Sequence, residues 1–167
     1  MSPTKPKPSA DHGKTLILGI GNILLRDEGA GIHVLHRLAG LLAERDDVEL
    51  LDGGTLSFTL AGAIANADRL IVIDAAQLNA APGATQVFVG DEMDSFIGGN
   101  RKCSVHEVSL IDLMAIAHLT DQLPTQRALI GIQPGEIDWG EMPSAAVSAA
   151  IPHACRHTLA LIEAWHA

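Results

Sequence analysis

From Thr15 onward the chain alternates short aliphatic runs with longer stretches in which apolar residues recur at helical spacing. This alternation constrains the fold more than any other feature, because strands joined through helices pair mainly in parallel and bury both faces of their sheet. Thr15–Ile20 reads as a buried first strand, followed by a polar loop over 21–28. Ile32, Leu35, Leu38 and Leu42 then share one helical face. Residues 48–51 form a second strand closed by Asp52-Gly53-Gly54-Thr55, and 56–67 reads as a helix. Residues 69–73 are a continuous apolar third strand ending at Asp74. Thr85–Val89 is a weaker fourth strand after the turn signal Pro82-Gly83, and Gly98-Gly99-Asn100 reads as a flexible loop. Residues 106–119 form a helix with Leu110, Leu113, Met114 and Ala117 on one face. Residues 127–132 are a fifth strand, stopped by Gln133-Pro134-Gly135. Ser144 caps a last helix running to Trp165, which Pro152 is expected to kink or restart.

The length, 167 residues, suits one domain over 15–167, preceded by a disordered Pro- and Lys-rich tail over 1–14. A formal net charge of −9 opposes nucleic acid as a partner, since phosphate binding needs a basic patch. No apolar run reaches the roughly 18 residues of a membrane span. The N-terminal segment lacks the apolar core of a secretory signal. Cys103 and Cys155 form no CxxC pair or zinc framework, which favours a reducing compartment, the cytoplasm.

In parallel α/β sheets, ligands sit outside the carboxyl ends of the strands. That rule collects Asn22, Asp27 and Glu28 after the first strand, Asp52 after the second and Asp74 after the third. His106, at a helix start, can face the same rim. Two carboxylates and an imidazole suit a divalent metal and leave positions for water or for ligands brought by a substrate. Each residue also has an ordinary structural reading: an acid at a helix N-terminus, a strand-end cap, a helix-start histidine. Other chemistries fit less well. Leu24 replaces the third glycine of a dinucleotide loop, and Asp27-Glu28 would repel a pyrophosphate. The chain has no GxSxG elbow, and His106-Glu107 lacks the second histidine of HExxH. Cys103, three residues before His106, has no evident partner to orient a base.

The string from Gly19 through Asn22, Asp27, Glu28 and Gly29 to Gly31 is similar to the opening motif of the nickel–iron hydrogenase maturation endopeptidases. Asp52-Gly53-Gly54-Thr55, Val72-Ile73-Asp74-Ala75, Ser104-Val105-His106-Glu107 and Gly131-Ile132-Gln133-Pro134 follow in that family's order. The resemblance implies a three-layer α/β/α sandwich around a five-stranded, mostly parallel mixed sheet, with Thr85–Val89 as the antiparallel strand. It implies an endopeptidase that removes the C-terminal extension of a nickel-loaded large-subunit precursor. Glu28, Asp74 and His106 would be both catalytic residues and ligands of nickel carried by the precursor, with no nucleotide cofactor. Asp52, Gly53, Gly54 and Thr55 would line the substrate rim, and a carboxylate-base route through Asp27 or Asp52 stays open. Ser57 stands where the family usually has glycine, which bears on which large subunit is recognised. The expected protein is monomeric, with no nucleic-acid or membrane partner. Its rivals are a non-catalytic nickel chaperone for the same precursor and a small nucleotide-binding module. Gly53 or Gly54 is expected to adopt a backbone conformation that other residues disfavour.

Overall fold

The computed structural model describes residues 13–54, 57–99 and 109–166. Its sheet contains β1 (Thr15–Ile20), β2 (Val48–Gly54), β3 (Arg69–Ala75), β4 (Thr85–Val89) and β5 (Gln126–Ile132), in the spatial order β2-β1-β3-β5-β4. β1, β2, β3 and β5 are parallel, and β4 pairs antiparallel with β5 at one edge. The reason for that reversal is local: no helix intervenes between β3 and β4, so the chain turns back instead of crossing over.

The side-chain period of two in each strand divides the core. Ile17, Ile71, Ile73, Ile130 and Ile132 face α1 (Ala30–Leu41) and α5 (Ala145–His166). Leu16, Leu18, Leu70, Val72 and Leu129 face α2 (Leu60–Ala65), α3 (Asp91–Gly99) and α4 (Leu110–Leu119). Every residue of β1 is buried, as a central strand covered on both faces requires. The result is the expected three-layer α/β/α sandwich with a mixed sheet. No helix among the described residues is long and apolar enough to cross a membrane.

Several local expectations need correction. The described part of the helix expected over 56–67 is the shorter α2, because Phe58 and Thr59 form a turn instead; Leu56 lies outside the described residues. Gly98 and Gly99 belong to α3, an element the sequence reading omitted; Asn100 lies outside the described residues. The apolar face of α3, with Met93 fully buried and Phe96 stacked on Phe88, offsets the cost of glycine in a helix. The described part of the 106–119 helix begins at Leu110, where Ser109 and Asp112 close a reciprocal capping box. α5 continues through Pro152 rather than restarting; the carbonyl that the proline deprives of its partner belongs to solvent-exposed Ser148. Lys14, placed in the tail by composition, is held by its backbone N–H on Asp68 (2.8 Å) and its ammonium on Glu49 (2.5 Å).

A tight approach between helix and sheet lies close to the carboxyl ends of β1 and β3. Gly31, in the first turn of α1, lies directly against the carbonyls of Ile20 and Ile73, and Gly19 of β1 meets the Gly31 carbonyl. A methyl group at Gly31 would push this helix off the ends of β1 and β3. Gly40, near the other end of α1, has open space around it. The two glycines of one helix should therefore respond oppositely. Gly31→Ala should cost about 1–3 kcal/mol through overpacking, and Gly40→Ala should add about 0.5–1 kcal/mol by improving helix propensity. Urea unfolding followed by circular dichroism measures both; equal shifts would show that the crossing at Gly31 is not tight.

Candidate active site

Strand register brings the sequence-selected acids to one rim. Gly19 pairs with Asp52 across β1 and β2, Gly19 pairs with Ile73 across β1 and β3, and Asp74 pairs with Gly131 across β3 and β5. Asp52 and Asp74 thus emerge at the carboxyl edge on either side of β1. The loop after β1 closes the gap. Asn22 accepts the Leu24 N–H on its side-chain oxygen (2.9 Å), shaping a turn that leads into a 3-10 turn, Arg26–Gly29. That turn, which bears Glu28, packs on β3, and α1 follows with Gly31 against the carbonyl of Ile73, the residue before Asp74. Glu28 and Asp74 are both half-buried.

Asp27 has a different environment from its neighbour. Its carboxylate is fully buried. Oδ2 accepts the backbone N–H groups of Gly135 (2.9 Å) and Glu136 (2.7 Å) and the Ser144 hydroxyl (2.8 Å). Oδ1 accepts the Ser144 N–H (2.6 Å). Burial pushes this carboxyl's pKa up, but the donors from Glu136, Ser144 and Gly135 outweigh it and hold the group below the ordinary aspartate value. Both oxygens are thereby engaged, and the Asp27 carboxylate fastens the loop after β5 and the start of α5 to the Glu28 turn. Ser144, read from sequence as a cap alone, does both jobs: its hydroxyl also accepts the Val147 N–H (3.4 Å). The donors from the loop after β5 were not legible beforehand, since backbone N–H groups carry no sequence signature.

Asp52 is exposed and accepts the Gly54 N–H (2.8 Å). Gly54 has φ +47°, the left-handed backbone that glycine adopts without steric cost, as expected for this loop. Its carbonyl accepts the Gly21 N–H (3.0 Å), joining the loops after β1 and β2. Gly53 packs against Leu18 and the Gly19 carbonyl. Thr55, His106 and Cys103 lie outside the described residues. Among the described residues no three His, Cys, Asp or Glu side chains cluster as a metal site; of the ligand set implied by resemblance, Glu28 and Asp74 are described. Cys155 is a free, buried thiol on α5 whose pKa burial pushes up, so it is neither accessible nor disposed to form a thiolate.

A five-stranded mixed sheet of this order, covered by helices on both faces and with acids at its carboxyl edge, defines an α/β protein of three layers. The hydrogenase maturation protease family model matches residues 32–161. Among curated relatives, the hydrogenase expression/formation protein HupD of Rhodobacter capsulatus is 35% identical over 159 residues, 95% of this chain and 75% of that one. The hydrogenase 2 maturation protease of Escherichia coli is 33% identical over 150 residues, 89% of this chain and 90% of that one. The hydrogenase maturating endopeptidase HybD of E. coli superposes with a TM-score of 0.79 at 32% identity, covering 90% of this chain and 92% of that one. HybD of Thermococcus kodakarensis gives 0.71 at 27% identity, covering 89% and 99%. The chain belongs to the hydrogenase maturation protease family and is an endopeptidase.

The neighbouring acids should separate in a stability assay. Asp27→Asn keeps the shape but turns an amide NH2 toward buried donors, and should cost about 2–4 kcal/mol. For a chain of this size that is a fall of roughly 5–15 °C in Tm. Asp52→Ala should leave Tm within roughly 2 °C, as surface substitutions usually do, while impairing precursor processing. Thermal unfolding and a processing assay on the same samples decide the matter: a stable Asp27→Asn would remove the fastening role, and parallel losses of Tm and activity would make Asp52 structural.

Proposed function

We propose that this endopeptidase removes the C-terminal extension from the nickel-loaded large-subunit precursor of a nickel–iron hydrogenase. The observation that supports the reading is the packing on β3 of the 3-10 turn that bears Glu28, with Asp74 near the end of that strand and the turn held by Asp27 and Gly31. Curated relatives bear names that refer to hydrogenase maturation, and the endopeptidase of known structure is matched over 90% of this chain and 92% of that one. Nickel enters as cargo of the substrate. The precursor's cysteine thiolates hold it, and Glu28, Asp74 and His106 occupy positions that those thiolates leave vacant. Engagement then requires a loaded precursor, and it fixes the scissile peptide against the rim.

Hydrolysis adds one water across the peptide bond, with the hydroxyl going to the carbonyl carbon and a proton to the leaving amine. Asp52, exposed on the rim and oriented by the Gly54 N–H, is a carboxylate positioned to take the water's proton, which makes an aspartic-type reaction the preferred route. Asp52, Gly53, Gly54 and Thr55 border the path of the extended substrate. No nucleotide takes part. The enzyme works as a monomer in the cytoplasm, where nickel insertion precedes it, with no nucleic acid or membrane as partner.

The test is a processing assay with nickel-loaded and nickel-free precursor, read by mass. The loaded precursor should be shortened and the nickel-free one should not. Glu28→Gln, Asp74→Asn and His106→Ala should each reduce cleavage by about 10–100-fold or more with little change in Tm. Equal cleavage of both precursors, or full activity in all three variants, would show that these residues do not read nickel.

A further inference from the structure

Two loops beside the Glu28 turn expose apolar side chains that the fold does not need. Ile23 and Leu24 are 40% and 48% exposed in the loop after β1. Ile137, Trp139 and Met142 are 49%, 79% and 72% exposed in the loop after β5. The two loops are joined by backbone. Gly140 donates its N–H to the Leu24 carbonyl (2.9 Å), and its own carbonyl accepts the Arg26 N–H (2.9 Å). Arg26, held at φ +47° where a long side chain is strained, donates to the Met142 carbonyl (3.1 Å) and pairs with Glu136 (2.9 Å). The Asp27 carboxylate anchors both loops from below. The apolar side chains are therefore presented by an ordered backbone.

Exposed tryptophan and methionine in one preorganised patch are the composition of an interface centre. The rim is acidic: Glu136, Asp138 and Glu141 are exposed, and Arg26 neutralises Glu136 alone among them in the described ion pairs. The patch adjoins the proposed cleavage site along the chain, since the loop of Ile23 and Leu24 leads directly into the 3-10 turn that bears Glu28. We propose that this patch docks the folded body of the precursor, through an apolar surface edged by lysine or arginine side chains. The proposal rests on the reading of the preceding subsection and adds the surface that selects the substrate protein, separate from the groups that read its metal.

The experiment compares the full chain with Trp139→Ser, Leu24→Ser and Asp138→Lys, each checked for an unchanged Tm. KM for nickel-loaded precursor should rise about 30-fold for Trp139→Ser, the loss of one central anchor, with kcat within about twofold, because the anchor lies outside the reacting groups. Asp138→Lys should raise KM by a smaller factor, and added salt should erase that difference. Independently, in protein labelled with 5-fluorotryptophan, the fluorine resonance missing from Trp139→Ser should shift when unlabelled precursor is added. Unchanged KM in all three variants, with a stationary Trp139 resonance while the unsubstituted chain cleaves normally, would overturn the docking surface alone. So would a dimer in sedimentation that Trp139→Ser dissolves, since a second copy would then own the patch. Failure of the unsubstituted chain to cleave the precursor would overturn the proposed function, and this surface with it.

Discussion

The buried Asp27 carboxylate is the interaction on which the working edge of the molecule depends. It accepts hydrogen bonds from Gly135, Glu136 and Ser144, residues more than a hundred positions away in sequence. A charge withdrawn from water is costly unless donors replace its hydration. Here backbone N–H groups and one hydroxyl do so, and the buried Ser144 donors in turn depend on the carboxylate. The requirement runs in both directions, so the loop after β1, the loop after β5 and the start of α5 are set together or not at all.

From that fastening the positions of the other residues follow. In a 3-10 turn successive side chains are rotated by about 120°, so Glu28 cannot share the buried direction taken by Asp27. It stays half-buried on the turn that packs on β3. Gly31 then lets α1 lie on the carbonyls of Ile20 and Ile73, and the turn inherits its place from this contact. On the other side of β1, Gly54 uses its left-handed backbone to bring its carbonyl onto the Gly21 N–H, leaving Asp52 in solvent. Rigid strands and tight glycine contacts hold acids of differing exposure along one edge, an arrangement suited to a reaction that needs some carboxylates as ligands and another as a base.

Family membership agrees with this physical reading. The distinctive surface of the chain is apolar at the centre and acidic at the margin, around Trp139 and beside the Glu28 turn. An enzyme that acts on one protein at one stage of assembly needs two kinds of discrimination. One concerns chemical state and the other concerns identity, and separate residues can serve each.

The alternation of short aliphatic runs with helical spacing was enough for an α/β fold with a largely parallel sheet, because continuous apolar strands such as β1 and β3 must be covered on both faces; the three-layer sandwich came through resemblance. The alternation also named Glu28, Asp52 and Asp74, since residues after parallel strands must lie at one edge. The antiparallel direction of β4 came through resemblance, as its weak alternation has no direction of its own. α3 was missed because Gly98 and Gly99 resemble a loop locally, while the burial of Met93 that stabilises the helix is a long-range fact. The position rule alone could not separate Asp27 from Glu28, since two adjacent acids have nearly equal intrinsic chemistry, and the resemblance that favoured Glu28 as a ligand left Asp27 open as a base. Only the tertiary structure gave Asp27 its fastening role, because the donors that engage it are backbone groups brought from the far end of the chain.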